Sequence, residues 1–325
     1  MKLLVTGGAG FIGSNFIHYW LRQHPADQIV NLDALTYAGN KANLSAIESL
    51  ANYSFILGDI TDAAAVGRAM SGVDVVVHFA AESHVDNSIK NALPFLQTNV
   101  VGTGILLAAA KELGVKRFHH VSTDEVFGSL SAQGTFNLHS PYDPHSPYSA
   151  SKAAADHLVR AYYYTYGLPI TISNCSNNYG PYQFPEKFLP LMITNILQSK
   201  KVPIYGDGSN VRDWLHVLDH IRGIELVLQK GQVGQTYLFG GGQELSNIDL
   251  ARKVVALMGV TDDVLEFVTD RPGHDWRYAI DSSASNLTLG WQPEYDFESG
   301  LKATIDWYRE QQNWWRAIVS GAYKQ

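Results

Sequence analysis

Two short segments of the chain combine side chains that could transfer protons. Thr123, Asp124 and Glu125 place a hydroxyl and two carboxylates side by side, and Tyr148 and Lys152 stand four residues apart. Adjacent carboxylates with different pKa values could act as an acid and a base on one substrate. Residues four apart on a helix share one face, and an ammonium group beside a phenol favours the phenolate. Tyr148 could therefore act as a base near neutral pH.

The N-terminal residues have the pattern of a dinucleotide-binding turn. An apolar run, Lys2–Thr6, leads into a turn with glycines at its first, fourth and seventh positions. Such a turn lets the backbone approach a pyrophosphate, and the helix that follows supplies amides and a positive dipole. Asp33 lies at the end of the next apolar run, where a carboxylate can bind an adenosine ribose and repel a 2′-phosphate. The pattern predicts NAD rather than NADP. The turn contains Gly7, Gly10, Phe11, Ile12 and Gly13.

Apolar runs typical of strands alternate with segments of helical composition. This alternation predicts an α/β fold with a Rossmann-type doubly wound parallel sheet. Beyond Asn174, turns rich in glycine and proline divide the chain into short pieces and indicate a smaller α+β substrate lobe. We expect an NAD-binding domain over residues 1–175, to which the chain returns around 211–237, and a mainly substrate-binding lobe over 176–325. The predicted strands are Lys2–Thr6, Ile29–Asp33, Tyr53–Leu57, Val73–Phe79, Phe118–Ser122 and Pro169–Ser173, and the predicted helices include Asn99–Leu113 and Ser149–Tyr166.

Composition narrows the class of protein. The formal net charge of −7 argues against a general nucleic-acid binder, which needs a basic face. The lone cysteine, Cys175, excludes an intrachain disulfide and a multi-thiolate metal site, so we expect it to pack and we predict no metal. The N-terminus lacks the pattern of a secretory signal, and no uninterrupted apolar run approaches ~18 residues. We therefore expect a soluble, cytoplasmic protein that does not bind a membrane.

The glycine turn and the Tyr–Lys pair resemble those of the extended short-chain dehydrogenase/reductase superfamily. Within it, the sequence is similar to the dTDP-glucose 4,6-dehydratases over nearly the whole chain. The chain departs from the usual pattern at Phe127, Leu138, Asn87 and Leu238–Phe239, and none of these is a catalytic group. The blocks that show the resemblance are Ala80–Asp86, Thr123–Glu125, Ser146–Lys152, Asn174–Tyr182, Phe184–Lys187, Val211–Leu215 and Asp270–Asp275.

The resemblance implies a role for each site residue. Thr123 would bind the sugar 4-hydroxyl, Asp124 would be the acid and Glu125 the base, and Tyr148 with Lys152 would form the alkoxide. The residues implied to bind the cofactor are Gly7, Gly10, Phe11, Ile12, Gly13, Asp33, Thr36, Asp59, Ile60, Ala80, Ala81, Thr98, Tyr148, Lys152 and Asn178. Those implied to bind the substrate are Ser83, Thr123, Asn177, Lys187, Phe188, Pro203, Tyr205, Arg212, Asn247, Arg271, His274 and Tyr323.

The implied reaction converts dTDP-glucose to dTDP-4-keto-6-deoxyglucose and water, with a hydride passing from C4 to C6 through tightly bound NAD. A nucleotide-sugar 4-epimerase stays open as an alternative, although it has no need for Asp124 and Glu125. A 4,6-dehydratase acting on a UDP- or GDP-hexose also stays open, as does a non-catalytic NAD-binding scaffold, which would tolerate loss of Tyr148 or Lys152. The resemblance further implies a homodimer, joined through a four-helix bundle formed by Asn99–Leu113 and the helix that begins near Tyr148.

Overall fold

The centre of the protein is a seven-stranded parallel sheet in the computed structural model, which describes residues 1–324. The strands are β1 (Lys2–Thr6), β2 (Gln28–Asp33), β3 (Tyr53–Leu57), β4 (Val75–His78), β5 (Arg117–Thr123), β6 (Ile170–Cys175), β7 (Asn177–Tyr179), β8 (Val202–Tyr205), β9 (Val211–His216), β10 (Thr236–Phe239), β11 (Glu244–Ser246) and β12 (Leu265–Val268). In the large sheet the order is β3, β2, β1, β4, β5, β6 and β10. The order reverses between β1 and β4, as in a doubly wound sheet. The predicted Rossmann-type fold class is confirmed.

Helices connect the parallel strands and build most of a second lobe. They are α1 (Phe11–Gln23), α2 (Ala63–Met70), α3 (Val85–Lys90), α4 (Leu93–Phe95), α5 (Thr103–Leu113), α6 (Pro147–Tyr166), α7 (Phe188–Leu197), α8 (Val217–Lys230), α9 (Asn247–Met258), α10 (Ser283–Leu289), α11 (Phe297–Glu310) and α12 (Gln312–Val319). Short 3₁₀ turns occupy Lys41–Leu44, Asp124–Phe127, Asp262–Val264 and Ala322–Lys324. Two small sheets, one of β7, β9 and β11 and one of β8 and β12, are separate from the large sheet.

Apolar side chains bury both faces of the large sheet. On one face, Phe16 and Ile17 of α1 pack with Ile221 of α8. On the other face, Leu106 of α5 packs with Val159 of α6. A parallel sheet is covered by helices on both faces, which is why a central strand such as β4 is buried at every position. The helix α6 is thereby held against β5 and β6.

A separate core holds the second lobe together. It contains Leu189 and Met192 of α7, Leu250 of α9, Leu301 of α11 and Trp315 of α12. The chain returns from this lobe to the large sheet, because α8 packs against α1 and β10 pairs in parallel with β6. The domain boundaries expected from the sequence stay a prediction.

One long helical stretch has exposed apolar residues. The helix α4, a π-helical segment at Leu96–Gly102 and α5 follow one another as Leu93–Leu113. Leu93, Leu96 and Val101 are each at least 47% exposed. Within residues 1–324, this is the one helix that could cross a membrane by length and composition alone, and 39% of its apolar window is buried inside the protein. The cytoplasmic location expected from the sequence stays a prediction.

Candidate active site

The turn between β1 and α1 has room for backbone but not for side chains. A Cβ on Gly13 would lie 2.4 Å from the carbonyl oxygen of Gly7, and a Cβ on Gly7 would lie 2.6 Å from the backbone nitrogen of Ala80. Gly7 also has a φ of +72°, which side chains rarely adopt. The helix α1 then begins after Gly10, without a side-chain cap on its first amides. These features fit the pyrophosphate of a dinucleotide, which needs a close backbone and a helix N-terminus.

Asp33 ends β2 beside the glycine turn. Its carboxylate accepts hydrogen bonds from the backbone N–H groups of Ala9 and Leu35, both at 2.8 Å. Burial raises the pKa of Asp33, an effect that the two backbone donors partly offset. A carboxylate held in this way can accept hydrogen bonds from ribose hydroxyls and repel a 2′-phosphate. Asp33 therefore fits NAD better than NADP.

The glycine turn and Asp33 open into a cavity of ≈ 300 Å³. It lies at the carboxyl edge of the large sheet, where ligands bind in doubly wound folds. Every residue predicted to bind the cofactor lines this cavity, and so does every predicted catalytic residue. Four of the predicted substrate residues line it as well: Ser83, Thr123, Asn177 and Lys187. The structure therefore brings the dinucleotide turn and the acid–base groups into one space.

A short turn at the end of β5 places the two carboxylates. Thr123 ends the strand, and its Oγ1 accepts a hydrogen bond from the backbone N–H of Glu125 at 3.3 Å, which caps the turn Asp124–Phe127. The same hydroxyl donates to Asp124 Oδ1 at 3.2 Å. One hydroxyl thus fixes the backbone of Glu125 and the side chain of Asp124.

The surroundings of Asp124 and Glu125 separate their pKa values. Burial raises the pKa of Asp124 well above its ordinary value, and the negative charges of Glu125 and Asp213 raise it further. Burial also raises the pKa of Glu125, but the positive charges of Arg271 and Lys187 act to lower it. The oxygen Oδ2 of Asp124 is buried without a hydrogen-bond partner among residues 1–324. Asp124 is thus suited to hold and donate a proton, and Glu125 to accept one.

The first turn of α6 places Tyr148 and Lys152. Ser146 caps the helix by accepting a hydrogen bond from the backbone N–H of Ser149 at 3.0 Å, and the Ser149 hydroxyl accepts from the Ser146 N–H at 3.0 Å. Pro147 occupies the first turn, where a missing N–H costs nothing. Tyr148 is 8% exposed and Lys152 is 4% exposed. Both side chains therefore face inward from one side of the helix.

The protonation of Tyr148 depends on more than its spacing from Lys152. Burial raises the pKa of Tyr148 well above its ordinary value, Glu125 adds to this, and a hydrogen bond with Thr123 lowers it. Lys152 Nζ donates to the carbonyl oxygen of Val121 at 2.8 Å. Burial lowers the pKa of Lys152. The chain alone favours a neutral phenol, so the predicted phenolate needs a charged Lys152 and further positive charge in the cavity.

Charged side chains collect at the substrate end of the cavity. Lys187 Nζ donates to the carbonyl oxygen of Ser83 at 2.9 Å. Arg271 forms an ion pair with Asp86 at 3.0 Å, and the Tyr205 hydroxyl donates to the same carboxylate at 3.0 Å. The Nε of Arg271 is buried and has no hydrogen-bond partner within residues 1–324. This cluster offers donors to an anionic part of a substrate.

The remaining predicted substrate residues lie outside the cavity lining. Arg212 is 6% exposed, donates to the carbonyl oxygen of Asp275 at 3.0 Å, and lies 4.3 Å from the ring centroid of Tyr278. The Tyr323 hydroxyl donates to the carbonyl oxygen of Tyr37. Their contacts with a substrate stay predictions. The full set outside the lining is Phe188, Pro203, Tyr205, Arg212, Asn247, Arg271, His274 and Tyr323.

The cavity has further lining residues that the sequence reasoning missed. Cys175, which we expected only to pack, is one of them, and burial raises the pKa of its thiol. Glu82, Cys175 and Phe184 stand inside the blocks that show the family resemblance, so a signal for them was present. The missed lining residues are Leu32, Ala34, Ala38, Gly39, Gly58, Phe79, Glu82, Val121, Ser122, Cys175, Ser176, Gln183 and Phe184.

The departures from the family pattern lie away from the cavity. Phe127 is buried and stacks on Phe136 at 5.2 Å between ring centroids. Leu138 is 45% exposed, Asn87 lies on α3, and Leu238–Phe239 is buried in β10. None of these residues lines the cavity. The side chains around the acid–base groups are therefore unaffected by direct contact with them.

The chain matches known proteins along most of its length. Residues 4–304 match a family model described as GDP-mannose 4,6 dehydratase. The dTDP-glucose 4,6-dehydratase of Mycobacterium tuberculosis is 52% identical over 321 residues, which cover 98% of this chain and 96% of that protein. The crystal structure of the dTDP-glucose 4,6-dehydratase DesIV from Streptomyces venezuelae, with NAD and dTDP bound, has a TM-score of 0.96 at 50% identity and covers 98% of this chain and 100% of that one. The UDP-glucuronic acid 4-epimerase of Bacillus cereus has a TM-score of 0.90 at 30% identity and covers 95% and 99%.

Replacing Asp33 should weaken NAD binding and narrow the discrimination against NADP. Asp33→Ser removes the carboxylate that would bind the ribose, a loss of about 1.5–3 kcal/mol for a hydrogen bond to a charged group, or roughly 10- to 100-fold in affinity. The measurement is the dissociation constant of each dinucleotide by calorimetry on the cofactor-free protein. Glu48→Gln, which removes an exposed carboxylate outside the cavity lining, is the control and should leave both constants unchanged. Equal affinity of the unmodified protein for NAD and NADP would contradict the assignment.

Proposed function

The chain belongs to the dTDP-glucose 4,6-dehydratases, and from this we propose that its cavity converts dTDP-glucose to dTDP-4-keto-6-deoxyglucose and water. The protein is an NAD-dependent hydro-lyase. One observation favours this reaction over epimerisation: Asp124 and Glu125 are held beside Tyr148 and Lys152 in the same cavity. Oxidation and re-reduction at one carbon need the Tyr–Lys pair alone, whereas loss of water also needs an acid and a base.

Tyr148 begins the reaction as a base. As a phenolate it takes the proton of the sugar 4-hydroxyl, which the hydroxyl of Thr123 holds in place. Lys152, as an ammonium on the same helix face, stabilises the phenolate. Bound NAD supplies the acceptor for the C4 hydride and the donor that returns it at C6, and its oxidised ring adds positive charge beside the phenol. The residues proposed to hold it are those of the glycine turn and Asp33.

Glu125 and Asp124 divide the elimination between them. A ketone at C4 acidifies the proton on C5, and Glu125 removes that proton. Asp124, which burial keeps protonated, gives its proton to the 6-hydroxyl so that water can leave. Glu125 then returns a proton to C5. The product is a 4-keto-6-deoxy sugar, and no net oxidation takes place.

We assign the diphosphate of the substrate to the cations at the substrate end of the cavity. Lys187 lies against Ser83 in the cavity lining, and Arg271 keeps an unpartnered buried Nε within the part of the chain that the structure describes. Ammonium and guanidinium groups are suited to phosphate oxygens, and arginine can bind them with two hydrogen bonds. The same cations act to lower the pKa of Glu125, so diphosphate binding and base strength depend on shared charges.

The substrate test is direct. Purified protein loaded with NAD should convert dTDP-glucose to a 4-keto-6-deoxy product, detected by mass spectrometry and by the absorbance of the ketone. UDP-glucose and GDP-mannose serve as controls for the nucleotide and the hexose, and each should be turned over more slowly. A 4-epimer of the sugar without loss of water would establish the epimerase alternative instead.

Two variants should separate the two halves of the mechanism. Glu125→Gln keeps nearly the same volume but cannot accept the C5 proton, so elimination should slow by ~10²–10⁴-fold while oxidation at C4 continues. NADH should therefore accumulate on this variant and be visible by its absorbance. Tyr148→Phe removes the initiating base, and no NADH signal should appear with substrate. Identical spectra from the two variants would refute the division of roles.

The two faces of the helix pair α5 and α6 support a dimer. Leu93, Leu96 and Val101 expose apolar surface on one helix, and Ala150 and Ala161 of α6 are exposed beside it. The two helices pack against each other, so their outer faces form one patch. Two copies of that patch related by a two-fold axis would bury it in a four-helix bundle, an isologous contact. We propose that the protein is a homodimer assembled in this way.

A charge placed in the patch should break the dimer. Val101→Glu would bury an unpaired carboxylate in the bundle, which is costly enough to favour monomers. Sedimentation velocity at low protein concentration should show twice the mass of one chain for the unmodified protein and one chain for the variant. Leu287→Glu, at an 86% exposed position of α10, is the matched control and should remain a dimer. A monomeric unmodified protein, or a dimeric Val101→Glu variant, would exclude this interface.

A further inference from the structure

A buried carboxylate lies one helical turn beyond the lysine of the site. Asp156 follows Lys152 by four residues on α6 and is fully buried. Its Oδ2 accepts hydrogen bonds from the Ser122 hydroxyl at 2.9 Å and from the Tyr142 hydroxyl at 2.7 Å. Lys152 Nζ donates to the carbonyl oxygen of Val121, the residue before Ser122. The ammonium and the carboxylate therefore contact neighbouring residues of β5 from the same face of the helix.

The other oxygen of Asp156 faces a histidine. Asp156 Oδ1 lies 3.2 Å from Nε2 of His120, which is also fully buried. Burial would raise the pKa of Asp156, but the hydrogen bond with His120 and the charge of Lys152 hold it below its ordinary value. Burial and the charge of Lys152 lower the pKa of His120 to about 4. His120 is thus neutral at physiological pH, and Asp156 is ionised.

The remaining titratable groups that face Lys152 carry no negative charge near neutral pH. Burial raises the pKa of the Cys175 thiol and lowers the pKa of His78 well below its ordinary value. Burial raises the pKa of both Tyr142 and Tyr148. The groups around the pair are Tyr148 and Arg160 on α6, His78 on β4, His120 on β5, Cys175 on β6, Tyr142 in the loop before α6, and Asp124 with Glu125 in the turn after β5.

We propose that Asp156 is a positioning residue of the dehydratase reaction, whose buried carboxylate keeps Lys152 an ammonium while Ser122 and Tyr142 hold that carboxylate in place. An ammonium buried without a counter-charge is strongly disfavoured and tends to lose its proton. A neutral Lys152 could not stabilise the phenolate of Tyr148. Asp156 touches neither substrate nor cofactor, and it acts through Lys152 alone. This inference rests on the proposed function, because it uses that reaction as its readout.

The test removes the charge of Asp156 and keeps its shape. In Asp156→Asn the side-chain oxygen can still accept from Ser122 and Tyr142. The new amide group can donate to His120, because Nδ1 of that ring is free among residues 1–324 to take the proton in the other tautomer. The variant is prepared as the NAD-loaded enzyme, and circular dichroism and retained NAD establish that it is folded.

The readout is the pH profile of kcat with saturating dTDP-glucose. Loss of the negative charge makes Lys152 easier to deprotonate, so activity should disappear at a lower pH on the basic side. The shift should be about one to three pH units, the effect of an opposite charge within about 4–6 Å. At a fixed pH on the shifted limb, each unit corresponds to about a tenfold loss of kcat.

Two controls separate charge from packing. Tyr142→Phe removes one hydrogen bond to Asp156 but keeps its charge, and the basic limb should stay where it is. Lys152→Arg replaces the titrating group by one that stays protonated, so adding Asp156→Asn to Lys152→Arg should move the basic limb no further. A shift of equal size in Tyr142→Phe, or in the double variant relative to Lys152→Arg, would assign the effect to structure and overturn the proposal.

The remaining outcomes are equally decisive. A folded Asp156→Asn variant with an unmoved basic limb, or with no activity at any pH, would overturn the proposal. If that variant does not fold, ¹⁵N NMR of lysine-labelled unmodified holoenzyme, assigned with Lys152→Arg, reports the charge of Lys152 directly. It should be an ammonium at about pH 8, where an uncompensated buried lysine would be an amine, and an amine there would refute the idea. An unmodified enzyme inactive on dTDP-glucose would instead refute the proposed function.

Discussion

The cost of burying charge governs the chemistry of this protein. Asp124, Lys152 and Asp156 are each no more than 4% exposed, so water cannot stabilise their ionised forms. A lone ion in such a place costs several kcal/mol, and the group must either give up its charge or gain a partner. Asp124 keeps its proton for this reason, and His120 stays neutral. Lys152 has a carboxylate one turn away, so it can stay charged. One physical constraint thus separates an acid from a cation within a single cavity.

The regular backbone decides which of these groups can meet. On α6 a spacing of four residues keeps Tyr148, Lys152 and Asp156 on one inward face, and the capped first turn fixes where that face begins. On β5 the adjacent residues Val121 and Ser122 receive the ammonium and the carboxylate in turn. The strand then ends in the turn that bears the acid and the base. Helix and strand together therefore fix distances that a flexible loop could not hold.

Local geometry explains what the sequence could predict. Buried strands gave continuous apolar runs, and the glycine turn and the pair beginning at Tyr148 have fixed spacings, so the large sheet and the acid–base residues were predicted within a few positions. The strands of the small sheets are only three to six residues long and have no periodic signal. Contacts between distant residues were also out of reach. Arg271 and Asp86 stand 185 residues apart, and Tyr323 and Tyr37 stand 286 apart, so their meeting depends on how the second lobe packs.

The fold alone does not choose the reaction. Epimerases with the same sheet also take and return a hydride, and they share the glycine turn and the Tyr–Lys pair. What differs is the fate of the sugar between the two transfers. An epimerase returns the hydride to the carbon that lost it, so it needs no group that acts on a neighbouring carbon. A dehydratase must use the brief life of the 4-ketone to remove the C5 proton and expel the 6-hydroxyl. Asp124 and Glu125 stand at the end of β5 for that interval, and their unequal burial and charge surroundings let one donate while the other accepts.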